Sequence, residues 1–266
     1  YQPFIPDAQR NNYRYQMLAY GEWQALYRAG SLNAVQSRFF EPKPPEELYD
    51  LAADPYETTN LAADPAHRDT LLRLRNRLRE RLQALPDLGF IPEPVFLAQG
   101  LDNPVRYGQS QRAKLARLME IADLPLLPAA EARDRLRAAL ALGDALDRYW
   151  ALIAASALGR EAETLIPAVR QVLADNPDNL VATRAAEFLA IVAGEDARPV
   201  LTRSLRQAGS AIEASLILNT AVTLADHYAQ PRLAVDPTWF RPAWRADPAL
   251  KPRLEYLGEP PGTTLP

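Results

Sequence analysis

The 266-residue chain contains no cysteine and only two histidines. Without cysteine it forms no disulfide and no thiolate metal site, and the compartment stays open because cytosolic and exported chains can both lack cysteine. His67 and His227 stand in different regions without ligand-spaced neighbours, which favours surface helix positions over metal binding or base catalysis. The sequence also lacks a Gly-rich phosphate loop, a nucleophile elbow and a His-x-x-x-His pair. We therefore assign no catalytic, metal or cofactor-binding residue and leave substrate-binding residues unknown.

Long apolar runs and an excess of positive charge are also missing. No run of about 18 apolar residues occurs, so we expect no membrane span. The net charge is -3 and the pI is about 5.6. This balance gives no overall basic field, and we expect no nucleic-acid partner.

The first residues do not resemble a natural start. Tyr1-Gln2-Pro3-Phe4 lacks an initiator methionine and does not resemble a signal peptide, so we expect an excised or truncated chain whose targeting signal lies upstream. The composition is 48% hydrophobic and 24% charged, which indicates a globular protein. The length allows one large or two ordinary domains.

The stretch from Pro44 to Leu61 has the clearest local pattern. Residues 46–51 alternate in a way that suits a short strand. Asp54-Pro55 breaks this strand, because proline disfavours the helical conformation in the preceding residue. Asp and Asn side chains around Thr58 can then hold a compact turn by bonding nearby backbone groups.

A helix is predicted directly after this turn, from Pro65 to Leu85. Asp64 suits the N-cap and Pro65 the first helical position. Leucines recur at helical spacing through the segment: Leu71, Leu74, Leu78, Leu82 and Leu85. Six arginines surround them: Arg68, Arg73, Arg75, Arg77, Arg79 and Arg81. A solvated face is favoured for these arginines, and a sulfated polysaccharide is the weaker alternative partner.

Two shorter helices are predicted upstream, at residues 21–28 and 33–39. Gly30 stands where a left-handed C-cap belongs. Trp23, Leu26 and Tyr27 share one helical face, and Phe39-Phe40 form a hydrophobic plug before a proline-rich connector. These aromatic residues could line a substrate pocket, but core packing is favoured at this spacing.

Residues Glu47-Leu48-Tyr49-Asp50-Leu51, Asp54-Pro55, Glu57 and Asn60-Leu61-Ala62 resemble the closing signature of type I sulfatases. Further agreements extend the likeness over roughly the first 95 residues: Trp23, Leu26, Gly30, Leu32-Asn33, Gln36, Phe39-Phe40, Pro42-Lys43-Pro44, Asp87, Gly89-Phe90 and Pro92-Glu93. Many separated positions agree, so the pattern is more specific than any one dipeptide. The resemblance implies a small C-terminal subdomain with an antiparallel sheet and a packed helix.

The resemblance also implies what such an enzyme needs from elsewhere. Type I sulfatases use a formylglycine nucleophile, a calcium ion held by Asp and Asn side chains, and Lys and His groups around the sulfate. We expect all of these in an N-terminal catalytic domain outside this chain. Asp102-Asn103-Pro104-Val105-Arg106 shares the Pro-x-Arg of the nucleophile motif, but Asp102 stands where a Cys or Ser is converted to formylglycine. A carboxylate cannot become that aldehyde hydrate, so we interpret the match as chance.

Residues 1–20 are rich in aromatic and amide side chains. Arginine with tyrosine could grip a sulfate or a sugar. The favoured alternative is a loop that packs across a neighbouring domain, because tyrosine and arginine are common at interfaces.

From Gln109 to about Tyr228 the chain becomes rich in alanine and leucine and repeats itself. Gly159-Arg-Glu-Ala and Gly194-Glu-Asp-Ala are spaced 35 residues apart. The unit is a helix with small residues, a Gly turn and a second helix, which resembles HEAT-type repeats at a short period. Helices are predicted near 110–122, 129–142, 145–158, 161–174, 178–193, 196–208 and 211–227.

The tail from Gln230 is rich in proline and carries Trp239, Phe240, Trp244 and Tyr256. A packed cap over the last helices is favoured, and an exposed aromatic binding strip is the alternative. The predicted fold is α+β and predominantly α. Its parts are a sulfatase C-terminal subdomain truncated at its start (1–95), a linker (96–109), HEAT-like repeats (110–229) and a capping tail (230–266).

Two functions follow from these patterns. The first is the C-terminal portion of a periplasmic or secreted bacterial sulfatase, inactive alone, whose partners are its own catalytic domain and a sulfated ester or polysaccharide. The second is a non-enzymatic helical-repeat scaffold that binds a protein. The signature between Glu47 and Ala62 favours the first, because a free scaffold has no evident reason to carry it.

Overall fold

The computed structural model describes residues 17–175 and 177–258. Within these ranges the chain consists of α-helices, short 3₁₀ helices and loops, and no residue lies in a β-strand. The expected helical character is confirmed. The expected small antiparallel sheet is wrong for the part of the chain described. No described helix is both long and apolar enough to cross a membrane.

The helices follow one another with short connections. In chain order, the described α-helices are α1 Leu18–Arg28, α2 Ala34–Ser37, α3 Arg68–Ala84, α4 Glu93–Gln99, α5 Pro104–Ser110, α6 Arg112–Ala122, α7 Ala129–Ala141, α8 Ala145–Leu158, α9 Ile166–Ala174, α10 Asn179–Ala193, α11 Arg198–Gln207, α12 Ala211–His227, α13 Pro242–Arg245 and α14 Lys251–Gly258. The described 3₁₀ helices are Arg38–Phe40, Pro65–His67, Leu88–Phe90, Leu124–Leu126, Gly159–Leu165 and Pro237–Trp239.

Helices α6 to α12 form a two-layer stack. Helices α6, α8, α10 and α12 pack side by side in one layer, and α7, α9 and α11 pack on them as the second layer. Buried alanines such as Ala151 and Ala155 of α8 and Ala185 of α10 line the first layer. Small side chains let helix axes approach closely, which is why the alanine-rich sequence gives a tight stack.

Side-chain caps set where these helices begin. Asp144 accepts hydrogen bonds from two backbone N–H groups at the start of α8, and Asp178 does the same for α10. Ser210 caps α12 through the Glu213 N–H. Each cap satisfies donors that have no partner within the helix. The predicted segments from 110 to 227 agree with α6–α12, except that residues 159–165 form a 3₁₀ helix before α9.

Gly159 and Gly194 occupy equivalent places in the stack. Each follows the last residue of a first-layer helix, and each has a positive φ, of 55° and 69° respectively. The repeated helix–Gly–helix unit predicted from the 35-residue spacing is therefore present in the structure. Its classification as HEAT-like, and the division of the chain at residues 95, 109 and 229, stay predictions.

Two clusters of buried side chains form the core. The first runs from Phe90 and Ile91 through α6–α10, and the second joins α10–α12 to the tail. Helix α10 supplies residues to both clusters, which makes it the centre of the stack. In the tail, Phe240, Leu250 and Leu257 are buried in the second cluster, so the described part of the tail packs against the helices.

The N-terminal helices pack through an aromatic cluster. The Tyr27 ring stacks on Phe40 at 4.7 Å, and Trp23 lies 4.8 Å from both Phe39 and Phe40. Trp23 and Tyr27 therefore pack on these rings while staying only partly buried, and the choice between core packing and pocket lining stays a prediction. Gly30 has a φ of 67° and ends α1 as predicted.

Candidate functional site

The signature stretch forms a turn held mainly by side chains, which explains why no strand forms there. The Leu48 carbonyl accepts a backbone bond from Leu61 N–H at 2.8 Å. The Leu48 N–H donates instead to Asn60 Oδ1 at 2.9 Å, and Asn60 Nδ2 donates to the Glu46 carbonyl at 3.2 Å. A sheet needs a run of backbone pairs along two strands. Here the side chain of Asn60 takes the place of the backbone groups of a second strand. The predicted strand at 46–51 is therefore a loop.

Asp54 organises the far end of the same turn. Its carboxylate accepts the Thr59 N–H at 2.7 Å and the Thr58 hydroxyl at 3.0 Å. The hydrogen bond from Thr59 N–H stabilises the charged carboxylate and lowers the pKa of Asp54. Arg38 closes the turn from outside by donating to the carbonyls of Glu57 and Thr58. The compact turn predicted around Thr58 and Thr59 is therefore present.

Two ion pairs join this turn and helix α3 to the stack. Arg75 donates through both Nε and Nη2 to the two carboxylate oxygens of Glu46, with an Nε–Oε1 distance of 2.7 Å. The hydrogen bond that Arg75 donates to Glu46 holds the pKa of Arg75 above its usual value. One turn further along α3, Arg79 Nη2 lies 2.7 Å from Asp123 Oδ2 at the end of α6. Because Arg75 contacts both carboxylate oxygens at once, the Arg75–Glu46 pair fixes the orientation of the two groups in addition to compensating their charges.

A pocket of about 240 Å³ lies between these ion pairs. Leu78 and Leu82 of α3 form one side, and Leu126 and Ala157 form the other. The walls are mainly apolar, and both pairs at its edge are already neutralised. The two carboxylates in its lining, Glu46 and Asp123, are both engaged by arginines of α3, so these pairs hold α3 against the turn and the stack.

The remaining arginines of α3 face solvent. Arg68, Arg73, Arg77 and Arg81 are exposed and make no ion pair with any described residue. The helix was predicted to begin at Pro65, but residues Pro65–His67 form a 3₁₀ turn and α3 begins at Arg68. Asp64 Oδ1 caps that turn by accepting the Ala66 N–H at 2.9 Å. Its leucine face is less covered than predicted, because Leu74 is 42% exposed and Leu78 is 56% exposed.

The residues around Asp102 and the two histidines have local structural roles. Asn103 caps α5 by accepting the Arg106 N–H at 2.9 Å, and Pro104 is the first residue of that helix. This capping accounts for the Asn103-Pro104 pair as a helix start. His67 Nδ1 lies 2.9 Å from Asp64 Oδ2, and His227 ends α12. Among the described residues, no group of three or more His, Cys, Asp or Glu side chains could hold a metal ion.

Comparison with known proteins gives one informative match. A stretch of 87 residues, 32% of this chain, is 37% identical to an ulvan-active sulfatase from Formosa agariphila. The match spans 15% of that protein, so most of the relative has no counterpart here. No family model and no solved structure matches the chain.

That match supports a relation to a sulfatase. The turn around Thr58 was predicted correctly from the sequence, but the ion pairs that fix it to the fold were missed. Glu46 with Arg75, and Arg79 with Asp123, are separated by 29 and 44 residues. Arg75 and Arg79 are four residues apart and so lie on the same side of α3. This spacing was the one feature of the sequence that could have indicated that this side of the helix meets carboxylates.

Proposed function

We propose that this chain is the C-terminal portion of a bacterial sulfatase that hydrolyses sulfate esters. The 37% identity to a sulfatase over 87 residues carries the proposal. The turn between Leu48 and Leu61 supports it, because the residues that resemble the sulfatase signature are those whose side chains hold the turn. The proposed class is type I, in which formylglycine is the nucleophile.

In this proposal the chain completes the enzyme and does not perform the chemistry. The nucleophile and the calcium ion belong to an N-terminal catalytic domain, which is the first partner of this chain. The described residues do not fit a calcium site, because no group of three or more acidic or histidine side chains converges. No catalytic step is therefore assigned to residues of this chain. We infer a periplasmic or secreted location, and its support is the sulfatase relation alone.

The helical stack adds a second function to that enzyme. We assign α6–α12 as a HEAT-like array that contacts a partner or substrate, or stabilises the catalytic domain. Stacked helical units of this kind present long continuous surfaces. A sulfated ester or polysaccharide is the substrate class, and the exposed arginines of α3 are compatible with an anionic polymer.

The test is the intact mass and N-terminal sequence of the native product in its source cells, detected with an antibody to α8–α12. We expect a product several hundred residues longer than this chain, with a Cys- or Ser-x-Pro-x-Arg motif upstream. The purified 266-residue chain should not turn over an aryl sulfate, whereas the long product should. A native product of about this length, or turnover by this chain alone, would refute the proposal.

A free helical-repeat scaffold is the second candidate. The observation that favours it is the pair of buried clusters in α6–α14, which give the stack a core of its own. A short native product without sulfatase activity would select this candidate.

A further inference from the structure

A second cavity, which we call the polar cavity, lies on the first layer of the stack. It has a volume of about 220 Å³ and is roofed by residues 89–93. Its floor is formed by α8, α10 and α12 through Tyr149, Arg184, Asn219 and Thr223. The interior of a helical stack is ordinarily apolar, so a set of polar side chains at this place needs a physical account.

The polar residues follow from the repeat. Arg184 is 35 residues from Tyr149 and donates to its hydroxyl at 3.2 Å. Asn219 follows Arg184 by the same interval. The three side chains therefore occupy equivalent positions on successive first-layer helices and form a ladder along the stack.

The two charges in the cavity wall neutralise each other. Arg184 Nη1 donates to both carboxylate oxygens of Glu187, at 2.9 and 2.8 Å, and Thr220 donates to Glu187 at 2.9 Å. Both charged side chains are buried. Burial opposes the charge on Arg184, but Glu187 holds its pKa above the usual value. The two opposite charges therefore compensate each other, and the pair presents no net charge to a ligand.

Three polar groups beside this pair keep unused hydrogen-bonding capacity. Thr223 is 1% exposed, and its Oγ1 has no partner among the described residues. Tyr149 Oη accepts from Arg184, and no described residue accepts its proton. Asn219 Oδ1 accepts from Arg253, while its Nδ2 has no described acceptor. Of the three groups, only the Thr223 hydroxyl is fully buried without any partner, a condition that is costly inside a protein.

We propose that the polar cavity binds a small neutral molecule rich in hydroxyl groups, the size of one sugar ring. Tyr149 and Asn219 supply donors, and Thr223 can donate or accept, so the ligand must carry several oxygen acceptors. The cavity also has an apolar wall, formed by Ile91, Pro92 and Leu216, against which the C–H groups on one face of a sugar ring can pack. The exposed Glu93 at the rim and the neutral Arg184–Glu187 pair disfavour an anion.

The size of the cavity fits this class. Drug-sized ligands occupy pockets of about 300–1,000 Å³, so a cavity of about 220 Å³ takes a smaller molecule. Water is the competing occupant, and about seven molecules at about 30 Å³ each would fill the space. The proposal goes beyond sulfate-ester hydrolysis and does not depend on it.

The experiment is a methyl-detected NMR titration of the chain with glucose, galactose and xylose, with sodium sulfate as the anionic probe. We expect at least one of the sugars to shift the Leu216 and Ile91 methyl signals saturably. Sulfate should not shift them. A cavity that holds water only would give no saturable shift with any sugar, and that result would overturn the proposal, as would saturable binding of sulfate instead.

Two variants locate the binding. Thr223→Val keeps the side-chain shape but removes a hydroxyl that has no protein partner, so the fold should survive and affinity for the bound sugar should fall about two- to tenfold. Ser204→Ala is the matched control, because Ser204 is equally buried, has an unpartnered hydroxyl and lies outside the cavity. Leu216→Phe should narrow the cavity and weaken the binding that is seen as a saturable shift at Ile91. Equal affinity in Thr223→Val and Ser204→Ala, or unchanged affinity in Leu216→Phe, would contradict the assignment.

Discussion

At the scale of the residue, Asp54 and Asn60 hold the signature turn in place of backbone pairing. Asn60 makes hydrogen bonds with the backbone of Glu46, Leu48 and Ala62. Asp54 bonds the backbone of Thr59. A charged acceptor gives stronger bonds than a neutral one, so the turn depends on the ionisation of Asp54.

We expect this turn to loosen in acid. The hydrogen bond from Thr59 N–H lowers the pKa of Asp54 in the folded chain, below the ordinary value of about 3.9. The contribution of Asp54 to stability is therefore complete above the unfolded-state pKa and is lost as the pH falls through the folded-state pKa. The amide proton shift of Thr59 should titrate with a midpoint below about 3.9.

Asp54→Asn supplies the control for this titration, because asparagine keeps an acceptor oxygen and has no charge to lose. The Thr59 amide of the variant should not titrate in this range. A wild-type midpoint at or above the ordinary value, or the same midpoint in both proteins, would count against Asp54 as the controlling group.

At the scale of the element, glycines end two helices of the first layer, α8 and α10. Gly194 has φ 69° and ψ 17°, which is the left-handed helical conformation. Gly159 has φ 55° and ψ -131°, a combination that L-amino acids avoid more strongly. A Cβ atom at either position would meet nothing within 4 Å, so backbone strain alone decides the cost of a substitution.

Alanine substitutions at Gly159 and Gly194 should lower the stability of the chain by different amounts. Gly194→Ala should lower the free energy of unfolding by about 1 kcal/mol, the cost of a left-handed alanine. Gly159→Ala should cost more, up to about 3 kcal/mol, because its φ and ψ are open mainly to glycine. Urea denaturation followed by circular dichroism measures both.

Gly143→Ala is the matched control for these turns, since Gly143 has open space for a Cβ and its φ is not positive. Its stability should be unchanged or slightly raised. If Gly159→Ala proved no more costly than Gly143→Ala, the strain argument would be wrong.

At the scale of the whole molecule, burial is distributed very unevenly. Among the described hydrophobic residues before Phe90, only Tyr20 and Phe40 are buried. The other buried hydrophobic residues belong to the segment from Phe90 to Leu257. Trp150 donates its indole N–H to the Phe90 carbonyl at 2.8 Å, which fixes the start of the second segment to α8.

Hydrogen exchange should follow this distribution. Segments with few buried contacts open at a small free-energy cost, whereas core helices exchange only by global unfolding. Backbone amides of α1 should therefore exchange orders of magnitude faster than those of α10. Mass spectrometry of deuterated peptides measures the difference, and equal protection of α1 and α10 would contradict it. If the chain is part of a longer sulfatase, the α1 amides should gain protection in that longer product.

The local features of this fold were predictable from the sequence. Helices α6–α12 were predictable because leucine and alanine periodicity, aspartate caps and glycine ends act within a few residues of one another. The turn around Thr58 was predictable for the same reason, since Asp54 and its partners lie within five residues. The strand at 46–51 was predicted wrongly, because alternation shows that a segment could pair but not whether a partner strand is present.

Only the tertiary structure decided which distant groups meet. The Glu46–Arg75 and Arg79–Asp123 pairs depend on how α3 lies against the stack, and sequence spacing does not fix that placement. The 35-residue interval between Tyr149, Arg184 and Asn219 is visible in the sequence, but their convergence at one cavity is not. Periodicity determines which face of a helix a residue occupies, whereas packing between layers determines what that face meets.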